Sequence, residues 1–331
     1  MTSALPVDFP DTAVEADVAD GLAAVESVIR ETARAEESLL TEASLHLIDA
    51  GGKRFRAMLV LLAGQFGDPR DPRLAPAAAA IELTHLATLF HDDVMDEAVI
   101  RRGHPSANSR WDNTVAILTG DFLFARASRI LADLGAEAIR IQTETFARLV
   151  GGQVAETIGP RPGEDPLDHY WRVATEKTGS LIATSGRFGA MFSGAPDQVA
   201  GEVELACAAL GVAFQVSDDI LDISSETGQS GKTPGTDLRE GVQSLPVLRA
   251  RRSAEPGGER LRELLARGPL TDDAAYAEAL ALLRAHPALK EARADLGRWT
   301  DRARRHVLAL PVGPARTAFE KLCDFMVERT G

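Results

Sequence analysis

The sequence predicts an all-α fold, and three observations carry that expectation. Apolar residues recur at helical spacing along nearly the whole chain, while runs of alternating Val, Ile and Thr are missing. Ala and Leu abound and aromatics make up only 5% of the 331 residues, which favours helix. A hydrophobic content of 45% supplies a sizeable core and argues against wholesale disorder.

Taken in order, the periodicity predicts helices over about 20–49, 53–67, 74–97, 105–133 and 136–158. Further helices are expected over about 166–177, 179–194, 197–223, 244–252, 258–266, 272–285, 288–309 and 314–329. Between them stand loops punctuated by Gly and Pro, such as GDPRDPR at 67–73, GPRPGEDP at 159–166 and SAEPGGE at 253–259. The longest irregular segment, Ser224 to Gly241, is rich in Gly and small polar residues, the composition of a flap over a site. The helices on either side of it are alike in character, so residues 21–331 read as a single domain with a flap at 224–241. The acidic residues 1–20 read as a poorly ordered tail.

A formal net charge of -13 argues against nucleic-acid binding, which needs a basic face. Two cysteines, Cys207 and Cys323, are too few for a disulfide framework and suit a reducing compartment. No apolar run approaches the ~20 residues of a membrane span, and the N-terminus is acidic, so no stable membrane insertion and a cytoplasmic location are expected.

The stretch FHDDVMDEAVIRRG is where chemistry enters. Asp92, Asp93 and Asp96 stand at i, i+1 and i+4, within an arc of about 100° on one helix face. Such carboxylates repel one another, and near a helix C-terminus they also oppose the macrodipole. One triplet reads equally as a solvated acidic helix end. The pattern returns, however, in FQVSDDILDI, as Asp218, Asp219 and Asp222. Clustered carboxylates make a hard-oxygen site suited to Mg²⁺, which ordinarily shares its shell with water and substrate phosphates. Cations for a phosphate are at hand in Arg101 and Arg102 after the first triplet. Others are Lys53, Arg54 and Arg56 at the start of a helix, Lys177 at the end of another, and Lys232 in the flap.

In these motifs the sequence resembles the trans-isoprenyl diphosphate synthases, or polyprenyl synthetases, over roughly residues 40–250. The resemblance rests on Gly51-Gly52-Lys53 with Arg56, on Asp92 to Asp96 followed by Arg101-Arg102-Gly103, on Lys177-Thr178-Gly179, and on Phe214-Gln215 with Asp218 to Asp222. It implies a bundle of about a dozen helices around a deep central cavity, with the two aspartate clusters facing each other across its mouth. It implies a cluster of about three Mg²⁺ ions joining those six carboxylates to an allylic diphosphate. Lys177, Arg101 and Lys232 would stabilise the departing diphosphate, and Thr178 and Gln215 would turn oxygen dipoles toward the allylic cation. Lys53, Arg56, His85 and Arg102 would hold isopentenyl diphosphate. A homodimer is implied, with a heterodimer as the other option. One departure stands out: the family commonly writes Glu-Gly-Lys after the flap, whereas this chain writes Glu240-Gly241-Val242, although the expected Asp237 is present.

Product length is expected from the helix before the first cluster. In the family, a bulky aromatic four or five residues before the first aspartate forms a floor, and here those places hold Thr88 and Ala87. A tunnel running past them, toward Ile81 some ~16 Å below Asp92, implies a product of about C30–C50, unless Phe122 or Phe124 closes it sooner.

Four rivals are weaker. Glu82 and His85 form the ExxH of di-iron bundles, but no second ExxH exists. A His91-Asp92 phosphohydrolase leaves the second triplet unexplained. A non-catalytic partner subunit would lack the clusters, and a terpene cyclase would not need the GGKRFR segment.

Overall fold

The structure is a computed structural model and describes residues 9–225 and 234–330. Its elements in chain order are α1 (Thr12–Thr32), α2 (Ser38–Asp49), α3 (Phe55–Gly64) and α4 (Leu74–Met95). A short hairpin follows, β1 (Ile100–Arg101) and β2 (His104–Pro105), antiparallel with Arg101 opposite His104. Next come α5 (Ala107–Arg110), α6 (Asn113–Leu134), α7 (Ala136–Ile158) and α8 (Pro166–Val173), the last running through a π-helical turn (Ala174–Gly179) into α9 (Ser180–Phe192). The remainder is α10 (Asp197–Ser224), α11 (Thr236–Glu240), α12 (Leu245–Arg252), α13 (Glu259–Leu265), α14 (Asp273–Ala285), α15 (Pro287–Leu308) and α16 (Pro314–Glu328).

Aspartates open four of these helices. Asp11, Asp112, Asp165 and Asp272 each accept a backbone N–H of the first turn, at 2.8 to 3.0 Å, and so satisfy donors that the helix itself leaves unpaired.

The chain partitions into two compact units. The first comprises Met1–Phe146, Leu181–Leu205 and Val307–Phe319. Its centre is α4, whose residues Ala77 to Thr84 are all buried, with Phe90, Met58, Leu62 and Phe188 as large core side chains. The second unit comprises Ala147–Ser180, Ala206–His306 and Glu320–Gly331. Leu210, Val216, Ile220, Leu245, Leu264, Leu283 and Met326 form its core. Each such side chain contributes about 1.5–3 kcal/mol on leaving water.

Several expectations need correction. The helix expected at 20–49 is two, α1 and α2, and α1 begins at Thr12, so the latter part of the stretch read as a tail is helical. The break falls where the Thr41 hydroxyl accepts from Ala35 N (2.8 Å) and donates to Ala35 O (3.1 Å), taking over both groups of a residue that would otherwise continue the helix. The helix expected at 105–133 gives up its start to the hairpin and α5, and Asp112 caps the rest. Residues 166–194 form no pair of helices with a break at 178, since the π-helical turn carries the chain through. The flap contains α11; its residues 226–233, and with them Lys232, lie outside the described residues.

Contrary to the reading of the apolar runs, the 28-residue α10 is long and apolar enough to cross a membrane, with a mean hydropathy of 1.5 in its best window. One face of it is nevertheless core: Val203, Leu210, Val212, Val216 and Ile220 are all fully buried. Both cysteines are buried free thiols.

Candidate active site

In the first unit the basic residues are gathered by local strain. The GGKRFR loop places Gly51 and Gly52 at φ +84° and +148°, and Arg54 at +47°, before α3 begins at Phe55. The hairpin turn places Arg102 at φ +52°, and Glu97, just past α4, sits at +49°. These three are the described non-glycine residues with positive φ, and all flank one region. Left-handed backbone at non-glycine positions costs energy and persists only where the surroundings over-determine it. A Cβ on Gly52 would lie 3.0 Å from the Arg102 guanidinium, so the glycine lets the two basic segments meet.

Arg102 donates to Leu47 O (3.2 Å) and to Gly51 O. Arg54 is 3.0 Å from Glu26 and 3.9 Å from Glu82. Glu82 also accepts Ala57 N at 3.0 Å, capping α3 from a distance, which gives this member of the ExxH pair a structural task. His85 lies at the middle of the cations. Burial, then Arg56, Arg102, Arg54 and Arg101, push its pKa well below the usual imidazole value, so it is neutral. Burial and the neighbouring Arg54 likewise pull Arg102 down to about 10. Four guanidiniums acting on one neutral imidazole give this region a positive potential that suits an anion. Lys53 is exposed at its edge.

The first aspartate triplet is split by its environment. Asp93 is 1% exposed and accepts from Arg101 Nε at 2.6 Å. Burial raises its pKa against the pull of Arg101. Asp92 is half-buried, and Asp96, the C-cap of α4, is exposed. One turn below, Thr88 is half-buried and donates to His85 O at 2.8 Å, whereas Ala87 is 2% exposed.

The second unit repeats this division. Asp219 is buried and accepts three hydrogen bonds, from Tyr170 Oη (2.7 Å), Leu245 N (2.9 Å) and Gln215 Nε2 (3.0 Å). Burial still pushes its pKa up to about 6 against those donors. Asp218 is exposed and pairs with Arg329 at 2.7 Å, and Asp222 accepts from Thr236 N (3.1 Å) and Asp237 N (3.2 Å). Thr178 Oγ1 donates to Gln215 Oε1 at 3.0 Å, so Gln215 ties the π-helical turn to Asp219. Lys177, on the same turn, pairs with Glu156 of α7. Val242 is exposed.

Glu156, Tyr170 and Arg329 were missed by motif reading. A signal existed for Glu156: Gly151 and Gly152 weaken a helix interior without evident cause. The cause is close approach, because a Cβ on Gly152 would lie 2.5 Å from Lys177 N. Arg54 was visible inside GGKRFR but had no assigned place, and its position follows only from its left-handed backbone.

The donor set of both clusters is carboxylate oxygen alone, the chemistry of Mg²⁺ or Ca²⁺. Among the described residues no three His, Cys, Asp or Glu side chains are drawn together into a ready cage. That fits an ion whose shell is completed by water and phosphate oxygens, so the residues present suit Mg²⁺.

An all-α chain with twin aspartate triplets and arginines gathered near a buried histidine fits an enzyme that acts on multiply charged anions. Comparison with known proteins narrows the class. The model of the polyprenyl synthetase family matches residues 37–283. The nonaprenyl diphosphate synthase of Mycobacterium tuberculosis is 48% identical over 326 residues, 98% of this chain and 97% of that protein. The crystal structure of geranylgeranyl pyrophosphate synthase from Corynebacterium glutamicum, complexed with calcium and isoprenyl diphosphate, superposes with a TM-score of 0.89 at 44% identity, covering 98% of this chain and 100% of that one. A decaprenyl diphosphate synthase from Rhodobacter capsulatus gives 0.87 at 34% identity, with 97% and 100% covered. The chain belongs to the polyprenyl synthetase family and is a prenyl-transferring enzyme.

Proposed function

We propose that the protein condenses an allylic diphosphate with isopentenyl diphosphate, repeatedly, to a long-chain all-trans polyprenyl diphosphate of about C30–C50. The observation that carries this reading is the close approach of the GGKRFR loop to Arg102, with the positive field of Arg54, Arg56, Arg101 and Arg102 on His85, tied to the first aspartate cluster by the Arg101–Asp93 pair. Two anionic substrates need two anion sites, and this pocket supplies one beside the carboxylates that would hold the other through metal.

Of the six aspartates expected to hold Mg²⁺, Asp92, Asp96, Asp218 and Asp222 are the accessible ones, whereas Asp93 and Asp219 are buried against protein partners and orient the clusters from behind. Mg²⁺ held by these carboxylates would supply charge neutralisation to an allylic diphosphate, which improves it as a leaving group. Arg101 and Lys177 would add positive charge there, and Arg329, which already reaches Asp218, adds a guanidinium in the unit where Val242 offers none. The C1–O bond breaks and its electron pair stays on the diphosphate. Thr178 commits its proton to Gln215, so its oxygen lone pairs are available to the allylic cation. Lys53, Arg56, His85 and Arg102 hold isopentenyl diphosphate so that its double bond attacks C1. The resulting tertiary cation loses a proton to the released diphosphate, so no protein nucleophile takes part.

Thr88 and Ala87 replace the aromatic floor, which favours the longer products named for the Mycobacterium relative. The exposed apolar residues Ile117 and Leu118 of α6 suit a homodimer contact better than a free surface, and a cytoplasmic location fits the two free thiols. A partner-subunit role is disfavoured because both clusters are complete. The test is to incubate the purified chain alone with Mg²⁺, labelled isopentenyl diphosphate and allylic primers of several lengths. Long-chain prenyl alcohols after dephosphorylation support the reading, and absence of product with every primer overturns it.

A further inference from the structure

The anion pocket is built from two segments far apart in sequence, the GGKRFR loop and the 100–105 hairpin, and something must set the spacing between them. The last turn of α2 lies against both. From it, Leu47 O accepts from Arg102 at 3.2 Å, and the neighbouring His46 makes two further bonds to the hairpin side. His46 Nε2 is 2.7 Å from Pro105 O, and its Nδ1 is 3.0 Å from Arg110 Nη1. A carbonyl only accepts and a guanidinium only donates. Nε2 therefore carries the proton, Nδ1 offers its lone pair, and both sides of a neutral ring are used. Trp111 packs edge-on to the ring at 5.4 Å, and Arg110 lies 4.4 Å over Trp111 while also pairing with Glu42 of α2.

We propose that His46 is a positioning residue for the isopentenyl diphosphate pocket, clasping the hairpin to α2 so that Arg102 stays in its left-handed conformation beside the GGKRFR loop. The proposal rests on the reading of Lys53, Arg56, His85 and Arg102 as that pocket. Arg102 at φ +52° is held against its own preference. A hairpin of two residues per strand has little stability of its own. Removing the bond to Pro105 O therefore frees the hairpin to relax and carries Arg102 away from the anion.

The test is steady-state kinetics of His46→Ala, His46→Gln, Arg110→Gln and Arg102→Ala with both substrates, alongside thermal melts. His46→Ala is expected to raise KM for isopentenyl diphosphate about five- to tenfold, the worth of one lost hydrogen bond. KM for the allylic primer and the melting temperature are expected to stay within about twofold and a few degrees. His46→Gln, whose amide can still donate to Pro105 O, should recover most of the loss, and Arg110→Gln should reproduce part of it. Equal rises in both KM values, no rise, or a glutamine variant as poor as alanine would overturn the proposal. If Arg102→Ala also leaves KM for isopentenyl diphosphate unchanged, the pocket reading itself fails. If Arg102→Ala raises it and His46→Ala does not, only the clasp fails.

Discussion

Arg101 Nε lies 2.6 Å from Asp93 Oδ1, and Asp93 is 1% exposed while the Arg101 side chain is 28% exposed. One member of the aspartate triplet is thus anchored inside the protein and linked to the anion pocket. The triplet should therefore divide under mutation. Asp93→Asn leaves a guanidinium without its counter-charge among three other arginines, and should lower stability by about 2 kcal/mol, less than for a fully buried pair because Arg101 is partly solvated. Asp92→Asn and Asp96→Asn should melt like the parent yet lose roughly 10³-fold in kcat, as expected when charge stabilisation of a leaving group is removed. Thermal melts and turnover on the same samples check both halves.

The two residues expected to set product length differ in what they face. Ala87 is 2% exposed within the packing of α4, so Ala87→Phe would overpack the core and cost about 1–3 kcal/mol. Thr88 is half-buried, on a different face of the helix. Thr88→Phe should fold and shorten the product by several isoprene units, read by chromatography of the dephosphorylated prenyl alcohols. An unchanged product profile would remove Thr88 from the path of the growing chain.

Lys177 is held by Glu156 across the gap that Gly152 leaves open. Gly152→Ala would force the π-helical turn away from α7, because its Cβ would meet Lys177 N at 2.5 Å. The expected outcome is a KM for the allylic substrate raised about tenfold or more with KM for isopentenyl diphosphate little changed, measured by varying each substrate in turn.

Burial pushes the Cys323 thiol from 9.0 up to about 12. The folded state holds this proton more tightly than the unfolded chain does, so between pH 9 and about 12 the unfolded chain alone becomes thiolate. Stability should fall with rising pH across that window, and Cys323→Ser or Cys323→Ala should flatten the slope in chemical denaturation. At pH 8 neither thiol should react with an alkylating reagent until the protein unfolds, since Cys207 is equally buried.

How much was legible depended on whether a feature was local. Both aspartate triplets are short-range spacings, and α7, expected at 136–158, was found as Ala136–Ile158. What escaped were effects of distant side chains or strained backbone. Thr41 breaks a periodic run by capturing Ala35. Glu82 reads as an ExxH ligand but caps α3. Asp93 and Asp219 match their exposed neighbours in sequence and part from them only through Arg101, Tyr170 and Leu245, which arrive from elsewhere in the chain. The hairpin was hidden because four paired residues leave no alternating pattern.

The central claim is that the repulsion within both aspartate clusters is tolerated because divalent ions bound to one diphosphate neutralise it. Its most direct test is anomalous diffraction from crystals grown with Mn²⁺ and a non-ionisable thio analogue of an allylic diphosphate. The predicted result is Mn²⁺ peaks at Asp92 and Asp96 and at Asp218 and Asp222, each sharing oxygens with bound diphosphate. Mn²⁺ confined to one cluster, or a diphosphate bound with neither cluster engaged, would contradict it.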